Sequence, residues 1–177
     1  GSDCSTDSAA GTGTPIYAKS VVGVNPAAQI TWYQAAQACA NVGKRLPTTA
    51  EWQAAASGTV DPGLNTDPAI GCNTASPSGV SLTGASGDLC KSDAGAFDMI
   101  GNLWEWAAEL APASDGASFT FTTTDASVGR ALGTDYNSDA GGGVDTSTKA
   151  VLLMEPGAGS SNGPNTAVDL IGFRCVR

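Results

Sequence analysis

Two clusters of apolar residues at helical spacing stand in the first third of the chain, each introduced by the same polar device. Thr31 is followed three residues later by Gln34, and Trp32, Ala35, Ala36, Cys39 and Val42 then form an apolar stripe closed by Gly43. A hydroxyl at the start of a helix with Gln or Glu three residues on is a capping box, so the spacing predicts a helix over about 31–42. Thr48 and Glu51 repeat the device after Pro47, with Trp52, Ala55 and Ala56 inward and Gly58 at the end, predicting a second helix over about 49–57. Ahead of both, Ile16 to Val24 alternates as a strand does until Asn25-Pro26 breaks it.

The rest of the chain reads differently. Residues 59–93 are turn chemistry throughout, including Asp61-Pro62-Gly63, Asp67-Pro68 and Ser76-Pro77-Ser78-Gly79, and predict one long ordered loop. Short apolar runs at 97–106, 118–122, 150–154 and 171–176, separated by Gly, Asp and Ser, suggest small strands with excursions between them. Residues 1–14 are small and polar without a period and read as a flexible leader, whose Gly1-Ser2 looks like a cloning remnant.

Composition narrows the class. With 177 residues and 41% hydrophobic content, one core is expected, and 23 glycines with 6% aromatics describe a loop-rich fold rather than a helical bundle. Eight Lys and Arg against 17 Asp and Glu leave a net charge of −9, which repels a phosphate backbone, so nucleic acid is not an expected partner. No apolar stretch approaches a membrane span, so these residues are not expected to insert in a bilayer. A signal or anchor trimmed before Asp3 would leave no trace here.

The five cysteines, at 4, 39, 72, 90 and 175, include no CxxC pair, and the chain has no histidine, which removes zinc-finger and thioredoxin readings. Disulfides formed in an oxidising compartment and buried free thiols are the two remaining readings. If four pair, Cys4 in the leader is left over, and Cys72 with Cys90 would pin the long loop.

Three motifs then carry a resemblance. ITWYQAAQACANVGKRLPTTAEWQAAA at 30–56, GAFDMIGNLWEW at 95–106 and IGFRCVR at 171–177 resemble, in order and spacing, segments of the formylglycine-generating-enzyme family, and most nearly the variable proteins of diversity-generating retroelements. The resemblance implies an α+β, C-type-lectin-like fold: two short helices packed on small antiparallel sheets, with long ordered loops. A domain over 15–177 with a variable C-terminal region over about 130–177 would follow. It also implies a Cys39–Cys175 bridge, and a Ca²⁺ site built from Asp98, Gly101, Leu103 and Glu105, with Asn73 or Asp93 at a second site. The alternative for Asp98 and Glu105 is that they only accept backbone hydrogen bonds in turns. Trp52, Trp104, Trp106 and Phe173 read as core.

The chemistry that the resemblance offers is then tested against the residues. Catalytic members of the family oxidise a cysteine with a copper-binding cysteine pair upstream of the closing strand, and this chain has no cysteine between Cys90 and Cys175. Other relatives use a histidine-rich iron site, and hydrolysis by Ser or Cys needs a base that the lack of histidine removes. The expectation is a binding protein with no catalytic residues. Variable proteins randomise Asn codons just before the closing strand, and here Thr166, Val168 and Leu170 alternate with Ala167 and Asp169. All three, and the Asp, Tyr, Ser and Gly types between 133 and 139, are reachable from such codons. The segment from Arg130 to Tyr136 departs from the family's Arg-Gly-Gly-Ser-Trp pattern. The expected ligand-facing residues are Asp135, Tyr136, Asn137, Ser138, Asp139, Ser160, Ser161, Asn162, Thr166, Val168 and Leu170. Tyr with Ser, Asn and Gly gives wide contact area and adaptable hydrogen bonds. The expected ligand is a protein or glycan on a host or neighbouring cell, met by a domain displayed outside the cell on a bacterial or virion surface. The alternative is an inactive or altered formylglycine-generating-enzyme homologue. The calcium-dependent sugar motifs of true lectins are not evident, so the fold's name does not imply sugar binding.

Overall fold

Both capping boxes form in the computed structural model, which describes residues 15–60, 69, 71–74, 79–111, 128–132, 167 and 169–177, and only the backbone of 110, 111 and 128–132. Helix α1 spans Trp32–Ala40: the Thr31 hydroxyl accepts from the Gln34 amide at 3.1 Å while the Gln34 side-chain oxygen accepts from the Thr31 amide at 2.9 Å. Helix α2 spans Thr49–Ala56, with the same reciprocal bonds between Thr48 and Glu51 at 3.2 and 2.9 Å. Each pair satisfies amides that have no partner inside the helix. α1 stops two residues short of the predicted end because Val42 and Gly43 turn back to Cys39 and Ala40, three residues earlier, and tighten the last turn.

The predicted strand over Ile16 to Val24 does not form. Its alternation is real, since Ile16 and Ala18 are half-buried while Tyr17 and Lys19 are exposed. What lies alongside, however, is the end of α1 rather than an extended chain: the Ala18 amide donates to the Ala38 carbonyl, and Asn41 Nδ2 to the Ile16 carbonyl. A ladder needs a partner with free groups at every second residue, and a helix end has none to continue it. Farther along, Gly23 and Val24 exchange two backbone bonds with Thr83.

Strand β1, Trp104–Ala111, is central in a three-stranded sheet of order β2-β1-β3. β2, Val128–Leu132, pairs with it antiparallel, with a register shift between Trp106 and Leu110. β3, Ile171–Phe173, pairs with it parallel, setting Trp104 beside Ile171, Glu105 beside Gly172 and Trp106 beside Phe173. The expectation of small antiparallel sheets therefore holds on one side of β1, and the sheet is mixed. A one-turn 3₁₀ helix, Gly87–Cys90, stands within the predicted long loop.

Packing places α1 and α2 against β1. Ile30, Ala35, Cys39, Leu46, Trp106 and Ile171 form one buried cluster, joined by the partly buried Trp104 and Phe173. Trp52, Ala56, Met99 and Ala107 form the next, and Cys72, Cys90 and Ile100 a third. The four aromatics read as core thus lie in or against it. Buried indole N–H groups need acceptors, and Trp106 finds the Ile30 carbonyl at 2.9 Å, Trp32 the Ala107 carbonyl at 2.7 Å.

Cys39 and Cys175 form a disulfide across Cα atoms 5.6 Å apart, and Cys72 and Cys90 another across 4.8 Å. The first ties α1 to the segment after β3, and the second closes the loop onto Ile100. Such bridges belong to a chain that folds in an oxidising compartment. Among the described residues no helix is long and apolar enough to cross a membrane. The leader with Cys4 and the apolar runs at 118–122 and 150–154 lie outside the described residues.

Candidate functional site

The Gly101-Asn102-Leu103 turn that opens β1 is held in a backbone form that most side chains avoid. Gly101 has φ +74° and Asn102 +67°, and a Cβ at Gly101 would overlap the Asn73 carbonyl oxygen. That carbonyl accepts the Asn102 amide at 2.7 Å. The Asn102 side chain is buried and reaches the other way: its Oδ1 accepts from the Ser81 amide at 2.8 Å and from Asn73 Nδ2 at 3.2 Å, and its Nδ2 donates to the Ser81 carbonyl. Asn73 Oδ1 is buried without a hydrogen-bond partner. The turn is therefore a knot joining β1 to two separate pieces of the long loop.

Beside it, β3 and the residues after it are fixed on every side. The Trp104 amide donates to the Leu170 carbonyl at 2.9 Å, and Gly172 sits where a Cβ would come within 2.8 Å of the Ala27 carbonyl and 3.0 Å of Leu103 Cδ1. Arg45 and Val176 exchange backbone bonds at 2.9 and 2.8 Å. Arg174 lies between these anchors, a quarter exposed, and forks onto Glu105: Nε reaches Oε2 at 2.5 Å and Nη2 reaches Oε1 at 2.5 Å. Nη2 also donates to the Phe97 carbonyl at 3.1 Å, and Trp52 Nε1 donates to Glu105 Oε2 at 2.7 Å. Arg174 and Trp52 were not singled out as partners of Glu105 by the sequence. The one available signal was an arginine in the closing motif and an acid in the Trp-Glu-Trp motif, both in apolar surroundings.

The four residues expected to hold Ca²⁺ stand in one turn and the start of β1, and several of their oxygens accept hydrogen bonds from the protein itself. Both Glu105 oxygens face Arg174 and Trp52, the Gly101 carbonyl accepts the Leu103 amide at 2.9 Å, and Asp98 Oδ2 accepts the Gly84 amide at 2.7 Å. Burial pushes the Asp98 carboxyl above the usual range, against the pull of the Gly84 amide and the Arg174 charge, with Glu105 adding repulsion. Calcium takes six to eight oxygens at about 2.3–2.6 Å. Among the described residues no group of three or more His, Cys, Asp or Glu gathers to hold a metal ion. As arranged, Glu105, the carboxylate of that set on β1, is paired with the chain's own guanidinium and indole.

Of the expected ligand-facing residues, Leu170 is described and is half-buried, with exposed Ala167 and Asp169 before it. Asp135, Tyr136, Asn137, Ser138, Asp139, Ser160, Ser161, Asn162, Thr166 and Val168 lie outside the described residues.

Comparison with known proteins places this arrangement. The chain is 29% identical over 169 residues to the inactive C-alpha-formylglycine-generating enzyme 2 of Bos taurus, a match covering 85% of this chain and 50% of that protein. The chain thus spans about half the length of the curated relative it matches. Among solved structures it superposes on the Major Tropism Determinant M1 variant with a TM-score of 0.56 and 23% identity, covering 82% of this chain and 36% of that one. It superposes on variable protein 1 of Treponema denticola with a TM-score of 0.53 and 19% identity, covering 90% of this chain and 76% of that one. These likenesses identify the fold as C-type-lectin-like. The model of the sulfatase-modifying factor enzyme 1-like domain matches residues 2–177, so this chain, with its Gly-Asn-Leu-Trp-Glu-Trp turn and Gly-Phe-Arg-Cys close, belongs to that family.

Proposed function

We propose that this domain is a non-catalytic ligand-binding module that recognises a protein or glycan on another cell through residues leading into β3 and the region near 135–139. The observation that carries the reading is how β3 and its two flanks are tied to the rest of the fold. Leu170 is bonded to β1, Gly172 is wedged against Ala27 and Leu103, and Cys175 is linked to Cys39. A side chain just ahead of such an anchor can change without loss of the fold beneath it. The solved neighbours with this fold include proteins named as a tropism determinant and a variable protein, which favours the same reading.

The chemistry present supports it too. The four described cysteines are all in disulfides, none lies between Cys90 and Cys175, and no histidine exists to serve as base or ligand. The disulfides suit display outside the cell, on a bacterial or virion surface. Exchanging Tyr136, Thr166, Val168 and Leu170 together should alter which immobilised glycans or whole cells the domain captures, with its melting temperature held within a few degrees. Capture that survives the exchange untouched, or a domain that unfolds, moves the recognition face elsewhere.

A second reading is favoured by the bovine relative, itself named inactive: an altered formylglycine-generating-enzyme homologue with a structural or partner-dependent role. Copper-dependent oxidation of a cysteine peptide separates the two. A reverse transcriptase gene beside a near-duplicate of the 3′ coding end would decide for the first.

A further inference from the structure

The two carboxylates at the foot of β1 need a positive partner, and the fold brings one from its own far end. Glu105 is buried, and Asp98 follows Phe97, whose carbonyl accepts from the same Arg174 that forks onto Glu105. We infer that Arg174 stands where a divalent cation would be bound, so that the turn from Asp98 to Glu105 is held by an internal guanidinium and the fold is independent of calcium.

Three features carry this. The guanidinium meets both Glu105 oxygens in the two-pronged geometry that is the strongest form of carboxylate pairing. Its third contact, to the Phe97 carbonyl, reaches the residue next to Asp98, so one side chain spans the two ends of the turn as a bound ion would. And the backbone of Arg174 is held by contacts other than those of its side chain: the parallel register of β3 on β1, the Arg45–Val176 exchange and the Cys39–Cys175 bridge. A calcium ion from solution would have to displace a tethered cation already in contact, and would then lie against its positive charge.

The test uses the intact protein. Its melting temperature is expected to be the same in chelator and in millimolar CaCl₂. Terbium, which takes calcium's place, is expected to give no tryptophan-sensitised emission that calcium displaces and Glu105→Gln abolishes; Trp52 lies within one hydrogen bond of Glu105 and would report such an ion. Emission that E105Q leaves unchanged arises elsewhere on the acidic surface and agrees with the inference. Arg174→Gln is expected to melt well below the parent, with E105Q in the same chain recovering part of the loss. A melting point that falls in chelator, or terbium emission lost with both calcium and E105Q, overturns the inference, as does an R174Q protein as stable as the parent. Should R174Q not fold, the chelator and terbium measurements on the parent chain decide alone.

Discussion

Trp52 on α2 and Glu105 on β1, separated by 53 residues, meet through a 2.7 Å hydrogen bond from the indole N–H to a carboxylate buried between helix and sheet. The contact joins two roles. Trp52 fills the second core cluster, and its polar edge supplies Glu105 with one of the donors that a buried carboxylate requires. Trp52→Phe keeps much of the apolar volume but removes that donor, and should cost about 2–4 kcal/mol from the smaller side chain and the weakened carboxylate together. In urea unfolding, a double-mutant cycle with Glu105→Gln should give a coupling energy above about 0.5 kcal/mol. Additive losses would mean that the bond contributes nothing beyond packing.

The bridges should differ in weight. Cys39 and Cys175 are 136 apart in sequence and Cys72 and Cys90 only 18, so the unfolded chain is constrained far more by the first. Loop-closure reasoning assigns about 5 kcal/mol to the longer and about 3 kcal/mol to the shorter. Paired Cys→Ala variants in denaturant should fall in that order. Peptide mapping without reduction should return these two links, with Cys4 free.

Gly101 and Gly43 offer a matched comparison, both having positive φ with different surroundings. At Gly43 a Cβ meets open space, so Gly43→Ala should cost only the backbone strain, about 1 kcal/mol. At Gly101 the new methyl would also overlap the Asn73 carbonyl, and Gly101→Ala should cost on the order of 3 kcal/mol or more. Equal losses in thermal unfolding would show that the Asn73 segment yields easily.

Acid should weaken the start of α2. The fork from Arg45, then the Thr48 backbone and hydroxyl, hold the Glu51 carboxyl at about 2, below its ordinary 4.5. A carboxyl lowered on folding stabilises the native state above its unfolded value, and that stabilisation disappears as pH falls through the folded one. The melting temperatures of the parent and Glu51→Gln should therefore differ at neutral pH and converge between pH 4.5 and about 2. A difference unchanged across that window would mean that the pair is not formed in solution.

Local devices could be read from the residues because each is complete within a few positions. Thr31 with Gln34 and Thr48 with Glu51 bond across three residues, so both helix starts follow from the spacing alone. Even there a tertiary addition escaped: Glu109 on β1 also accepts from the Thr49 amide at 2.9 Å, a bond across 60 residues with no mark in the sequence.

The sequence by itself determined the two capped helices, the burial of Trp52 and Trp106 and, through its three motifs, the family. Whether a segment becomes a strand was decided by what lies next to it. Ile16 to Val24 and Ile171 to Phe173 both offer suitable residues, but only the second lies along β1, and the first lies against the end of α1. Alternation specifies which side chains turn inward and leaves the neighbour open, including whether it runs parallel or antiparallel. The partner of Glu105 was decided in the same way. A carboxylate in an apolar segment announces that it needs donors, and only the folding of β3 onto β1 made Arg174, 69 residues away, the group that meets that need.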